Sequence, residues 1–147
     1  QDMHGLKVLI TFGPTREFWD PVRFWSNPSS GKMGSALALT AWLRGAEVFC
    51  VTGPSREWLP RSVHRIEVIS ALEMHQACHR LWPDMDIGCL AAAVSDFRPQ
   101  GISEHKFKKK DHLGPLSIEF AANPDILHSL GQNKTRQQRL IGVAAET

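Results

Sequence analysis

The sequence has 147 residues, of which 42% are hydrophobic and 22% charged, and its formal net charge is +2. This is a single-domain length that can hide about two-thirds of its unfolded surface in a core. So mild a charge balance argues, on global charge alone, against nucleic acid or a membrane as partner. No apolar run reaches the ~18 residues that span a bilayer, and Gln1-Asp2-Met3-His4-Gly5 carries no basic segment leading into an apolar one. Cys50, Cys78 and Cys89 form no C-x-x-C pair and read as buried free thiols of a reducing compartment, the cytoplasm.

In chain order, Leu6 to Phe12 is an apolar run closed by Gly13-Pro14 and predicts a buried strand. A polar and aromatic loop is expected from Thr15 to Ser29. Ser30 to Arg44 predicts a helix, with Met33, Leu37 and Ala41 on one face, Ser29 or Ser30 as N-cap and Gly45 as the stop. Ala46 to Thr52 is a second strand, and the strand–helix–strand crossover should be right-handed.

The pattern then repeats. Arg65 to Ile69 alternates as a strand, and Ala71 to Trp82 reads as a helix with Ala71, Met74, Cys78 and Leu81 on one face. Ile87 to Val94 is almost wholly apolar and predicts a central parallel strand covered on both sides. Pro99 to Pro115 has no periodicity and predicts an exposed functional loop. Leu116 to Phe120 is a further strand. Asn123 is the expected N-cap of a helix to about Leu130, with Pro124 at its first position. Arg139 to Ala145 is the last strand. Alternating β and α segments predict an α/β, Rossmann-like, doubly wound and mainly parallel sheet with helices on both faces and its site at the C-terminal strand ends.

Asn27-Pro28-Ser29-Ser30-Gly31-Lys32-Met33-Gly34 precedes the first helix, where free N–H groups and the helix dipole favour an anion. It is neither a Walker A loop nor a G-x-G-x-x-G turn, and an ordinary capped helix start would look the same. Arg16, Arg23 and Lys32 tilt the reading toward an anionic ligand. Asn123-Pro124-Asp125-Ile126 is a second helix start, weak alone. Asp96 stands just past an apolar run, where strand-end residues of this fold class meet ligand, or else serves a turn. Lys106 to Lys110 reads as a solvated loop or as ammonium groups able to close over a triphosphate, and no aromatic platform for nucleic acid stands beside it. His75 and His79 have metal-sharing spacing but no third ligand, which favours a solvated flank.

Together these blocks resemble one family. Thr15-Arg16-Glu17, Asp20-Pro21-Val22-Arg23-Phe24 and Ser26-Asn27 with Ser29 to Gly34 are similar to the signature of bacterial phosphopantothenate–cysteine ligases. Ala71 to Met74, Ala92 to Val94 with Asp96-Phe97-Arg98, Lys106 to Lys109, Asn123 to Ile126 and Gly142 to Thr147 follow in the same order. The resemblance covers essentially all of the chain after Gly5. It implies a ligase that joins 4′-phosphopantothenate to L-cysteine through an acyl-cytidylate, with CTP and Mg2+, as a homodimer. In the family this domain usually follows a flavin-dependent decarboxylase half.

By position, the resemblance makes Asn27 the residue that holds the acyl-nucleotide intermediate and Arg23 a residue needed nearby for substrate, with Ala93 beside them. Lys106 matches the functional loop lysine. Ser30, Gly31, Ala92, Asp96, Lys106, Pro124, Asp125, Ile126, Leu127 and Val143 match nucleotide-binding positions, Ala92 in the segment lining the base pocket.

Three departures stand out: Pro14 where the family has a second glycine, Pro28 where it has arginine, and Val143 where phenylalanine is frequent. The resemblance also implies one domain over residues 1–147 that stops before a lysine-bearing lid, hence a fragment or a protein completed by another chain. Two rivals share the fold class: an inactive relative that binds nucleotide as a partner, and an NAD(P)-binding oxidoreductase. The second expects an acidic residue at the end of the second strand, where Thr52-Gly53 stands.

Overall fold

The computed structural model describes residues 1–146, so the last residue of the Gly142–Thr147 block lies outside the described residues. In chain order the first half contains β1 (Lys7–Phe12), β2 (Arg16–Phe18), β3 (Phe24–Ser26), α1 (Lys32–Leu43), β4 (Glu47–Thr52) and β5 (His64–Glu67). The second half contains α2 (Ala71–Leu81), β6 (Ile87–Leu90), β7 (Phe97–Pro99), β8 (Phe120–Ala122), α3 (Ile126–Gln132) and β9 (Arg139–Gly142). Five strands form one sheet in the order β5-β4-β1-β6-β9, and all its pairings are parallel. The chain first winds from β1 toward β5 and then returns to the other side of β1, so the topological switch falls between β1 and β6.

The period of two along β1 divides the core between the two sheet faces. Val8, Ile10 and Phe12 join Val48 and Cys50 against Ala38 and Ala41 of α1. Leu9 and Val51 join Met74 and Cys78 of α2 and Ile126 and Leu130 of α3. Trp82, 2% exposed, closes the second core, and its indole N–H donates to Leu130 O at 3.1 Å.

Helix α1 is shorter than its pattern predicts and turns a different face inward. Gly34, Ser35, Ala38 and Ala41 are buried, whereas Met33 and Leu37 are 59% and 36% exposed. The helix lies so close to β1 that a Cβ on Gly34 would stand 2.2 Å from Phe12 Cβ. Close approach selects small residues, so large apolar side chains do not mark the buried face. Its N-cap is Gly31 at φ 84°, with no side-chain cap, in place of Ser29 or Ser30. Gly45, at φ 97°, follows the C-cap as expected.

Helix α2 starts on a reciprocal cap: Glu73 N–H donates to Ser70 Oγ at 3.2 Å, and the Glu73 carboxylate accepts from Ile69 N at 3.0 Å. Helix α3 starts later than predicted. Asp125, not Asn123, caps it by accepting from His128 N at 2.9 Å. Asn123 is drawn away by tertiary bonds, its Nδ2 donating to Ser95 O at 2.8 Å and its Oδ1 accepting from Arg98 Nη1 at 3.1 Å.

Two antiparallel ribbons lie outside the main sheet, β2 with β3 and β7 with β8. The first occupies the expected 15–29 loop, and the second replaces the expected 116–120 strand with residues 120–122. Strands of three residues are too short for alternation to register.

Candidate functional site

The C-terminal ends of the parallel strands carry two cavities. One, of about 470 Å3, lies over β6 and β9 and is bounded by α3. Its wall comes from Thr11 of β1, Leu90 at the end of β6, Ala92 and Val94 to Asp96 beyond it, Asn123 to Leu127 ahead of and into α3, Gly142 at the end of β9, and Val143 and Ala144 beyond it. Ala92, Asp96, Pro124, Asp125, Ile126, Leu127 and Val143 of the nucleotide set are therefore brought together. The floor is tied down by Ala92 N–H, which donates to Thr11 Oγ1 at 3.2 Å, and by Val143 N–H, which donates to Leu90 O at 3.0 Å.

The other cavity, of about 780 Å3, lies over β4 and β5 and is lined by Arg16, Ser29, Ser30, residues 53–57 and residues 67–69. Ser30 thus faces a different cavity from those seven, and Lys106 stands in neither wall. Gly31 is buried behind it, where a Cβ would stand 2.9 Å from the Phe12 ring. Arg16 places its guanidinium 4.7 Å from the Phe24 ring centroid, which fixes it at the cavity wall.

Between the cavities stands the end of β1. Pro14 bridges Ala93 in a parallel pair. Such a bridge takes its donor and acceptor from the flanking residues: Ala93 N donates to Gly13 O at 3.0 Å and Thr15 N to Ala93 O at 3.2 Å. The missing N–H of Pro14 therefore costs no ladder bond. Asn27 is exposed, and its Nδ2 donates to Val94 O at 3.3 Å, so its amide stands beside the wall of the first cavity. Pro28 is exposed next to it.

Arg23 and Lys106 are linked through Asp20. This fully buried carboxylate accepts from Val22 N and Arg23 N, both at 2.7 Å, from Arg23 Nη1 at 2.6 Å and from Phe107 N at 3.1 Å. Arg23 Nη1 also donates to Phe107 O at 3.1 Å. Burial alone would raise the Asp20 carboxyl, but these donors outweigh it and hold it at about 2. The loop bearing exposed Lys106 is thereby anchored one residue from its lysine. The sequence shows Asp20 only as part of a matching block, and its anchoring role needs the contact with Phe107, 87 positions away.

Thr11, Leu90 and Ser95 also line the first cavity and lie in no matched block, whereas Val94, Gly142 and Ala144 lie in matched blocks with no role assigned. Thr11 could have been found as the penultimate residue of β1, at the strand ends where this fold binds ligand. Cys50 and Cys78 are fully buried, and burial pushes both thiols up to about 12, so neither is a nucleophile near neutrality. His79 Nε2 pairs with Ser129 Oγ at 2.9 Å and joins α2 to α3. Among the described residues no three His, Cys, Asp or Glu side chains gather as a metal site.

Comparison with known proteins agrees with this fold. The model of the DNA/pantothenate metabolism flavoprotein C-terminal domain matches residues 3–147. The chain belongs to this family. It is 47% identical to the coenzyme A biosynthesis bifunctional protein CoaBC of Vibrio cholerae over 97% of its own length and 36% of the relative's. The Escherichia coli K12 protein of the same name is 42% identical over 99% of this chain and 36% of its own. The chain thus spans about a third of the curated relatives it matches. The crystal structure of the C-terminal domain of a CoaBC protein superposes with a TM-score of 0.84 at 42% identity, covering 99% of this chain and 67% of that one. A Cab2 variant solved with phosphopantothenate-cysteine gives a TM-score of 0.75 at 18% identity, over 92% of this chain and 62% of that one, which shows the shared fold alone.

Proposed function

We propose that this chain is the ligase unit that joins 4′-phosphopantothenate to L-cysteine in coenzyme A synthesis, with CTP as the activating nucleotide. The observation that carries this reading is the cavity over β6 and β9. Seven positions matched to nucleotide binding meet in its wall, with the Asn27 amide held at Val94 beside it. Similarity to the C-terminal domain of CoaBC proteins supports it.

In the proposed reaction a carboxylate oxygen of 4′-phosphopantothenate attacks the α-phosphorus of CTP and pyrophosphate leaves, giving the acyl-cytidylate. The cysteine amine then attacks the acyl carbon, loses a proton and expels CMP. Asn27 gives one N–H to Val94 O, and the other is left to donate to the oxyanion of the second step. Lys106, on the loop held by Asp20, supplies positive charge to the phosphates. Asp96 and Asp125 offer carboxylate oxygens of the kind Mg2+ takes, and the ion fits as the companion of the triphosphate.

The NAD(P) reading is disfavoured at β4. Its last residue, Thr52, is fully buried and accepts from Arg65 Nε at 3.3 Å, where a ribose-binding acid would stand. Phe24, Trp25, Phe97 and Phe120 expose apolar surface along the two ribbons, with Trp25 58% exposed and packed 5.6 Å from the Phe120 ring. We assign this face to a homodimer, and a flavin-dependent decarboxylase domain to the parent protein. The buried thiols suit a cytoplasmic protein, and no helix among the described residues is long and apolar enough to cross a membrane.

Calorimetric titration with CTP, ATP and NAD in the presence of Mg2+ tests the reading, together with formation of the phosphopantothenate–cysteine amide. CTP is expected to bind best. Preferential binding of NAD overturns the proposal.

A further inference from the structure

Ser95 is 2% exposed and stands in the wall of the cavity over β6 and β9. Its backbone is clamped at both ends: Ser95 N donates to Thr15 Oγ1 at 3.0 Å, and Ser95 O accepts from Asn123 Nδ2 at 2.8 Å. Its hydroxyl is nevertheless a buried side-chain polar atom without a hydrogen-bond partner among the described residues. Thr11 Oγ1 of the same wall accepts from Ala92 N, Thr15 Oγ1 accepts from Ser95 N itself, and both ends of the Asn123 amide are taken by Ser95 O and Arg98.

A hydroxyl removed from water and left unpaired destabilises the folded chain, because its hydrogen bonds to water are lost and not replaced. Alanine would fill nearly the same volume without that penalty. An unpaired donor on a fixed backbone, in the wall of a ligand cavity, has a physical use when ligand supplies the missing acceptor. Rotation about χ1 is the one adjustment its clamped backbone leaves to it.

We infer that Ser95 is a ligand-binding residue of this cavity, whose hydroxyl donates to an acceptor on the base or ribose of the bound nucleotide. This rests on the nucleotide reading of the cavity given above. The apolar neighbours favour the base and ribose over the phosphates: Leu90, Ala92, Val94, Ile126 and Val143 line the space with Ser95, and they suit a ring face better than a polyanion.

The test compares the wild-type chain with Ser95→Ala and Ser95→Cys, the latter nearly isosteric but a weak donor. CTP, CMP and tripolyphosphate are titrated with Mg2+, and each ligand-free protein is melted. The expected result is roughly a tenfold loss of CTP and CMP affinity in Ser95→Ala, the size of one well-placed hydrogen bond, with Ser95→Cys similar or milder. Tripolyphosphate affinity is unchanged, and the ligand-free Ser95→Ala protein melts no lower than wild type. A purely structural hydroxyl would not combine undiminished stability with weaker nucleotide binding. Wild-type binding of CTP that Ser95→Ala reproduces overturns this inference and leaves the nucleotide reading standing. Equal weakening of tripolyphosphate overturns the base-and-ribose assignment. A wild-type protein that binds no nucleotide overturns both.

Discussion

The two cavities at the C-terminal edge of the sheet differ in the chemistry of their walls. The one over β6 and β9 sets Leu90, Ala92, Val94, Ile126 and Val143 beside Asp96 and Asp125. The one over β4 and β5 sets Arg16, Arg56, Glu57 and Glu67 beside Ser29, Ser30 and Gly53. Both draw mainly on consecutive residues, 94–96, 123–127 and 142–144 in the first and 53–57 and 67–69 in the second. Such runs appear in a sequence as blocks, but which blocks share a cavity depends on strand order, and Ser30, just before α1, falls over β4 and β5. The joint between the cavities is the end of β1, where Pro14, Gly53 and Ala93 meet.

Asn27 borders the first cavity and separates the two most strongly. Asn27→Asp keeps the size, removes a donor and adds negative charge where the proposed reaction places a phosphate-bearing intermediate. Loss of one such donor costs about 3 kcal/mol in the step it serves. Under the proposed function, amide formation should therefore fall roughly a hundredfold or more, with circular dichroism unchanged. Near wild-type turnover would remove Asn27 from the mechanism.

The joint itself comes next. A Cβ on Gly53 would fall 1.7 Å from Pro14 O, a backbone atom that cannot swing aside, whereas one on Gly101 meets nothing within 4 Å. Gly53→Ala should lower unfolding free energy by about 3 kcal/mol, the scale of severe overpacking. Gly101→Ala should change it by less than about 0.5 kcal/mol, as exposed sites do. Urea unfolding of the pair measures the contrast, and equal midpoints would contradict the packing at the joint.

Charge substitutions separate the loop from the second cavity. Lys106→Gln should weaken CTP-dependent steps about tenfold, within the range for a charge-assisted contact, with an unaltered melting temperature because the side chain is exposed. Arg56, in the second cavity, is the control. If only the first cavity holds nucleotide, Arg56→Ala leaves CTP affinity within about twofold. A larger loss would make the triphosphate span both cavities.

A last contrast concerns acid. The Asp20 carboxyl falls from 3.8 to about 2 on folding. Its stabilising contribution is full above the unfolded value and is lost as pH falls from about 4 toward 2. Asp2, held low by Arg44, titrates in the same window. The difference between wild type and Asp20→Asn isolates the Asp20 share: wild-type stability should decline more steeply across that window. Parallel acid profiles would show that the Asp20–Phe107 anchor contributes nothing there.

The sequence alone determined the alternation of β and α segments, the parallel sheet and the edge at which its cavities open, because buried parallel strands write continuous apolar runs. It also determined most of the first cavity, since consecutive residues at strand ends and loops travel together into a site. Tertiary structure decided what depends on distance across the chain. Helix α1 presents Gly34 and Ala38 inward because β1 leaves no room for Met33 or Leu37. The expected cap of α3 moved from Asn123 to Asp125 because Ser95 and Arg98 claimed the asparagine. The Lys106 loop is fastened by Asp20 from 87 residues upstream. Local propensity has no term for any of these. Each is a competition for space or for a hydrogen bond that arises only when distant segments meet.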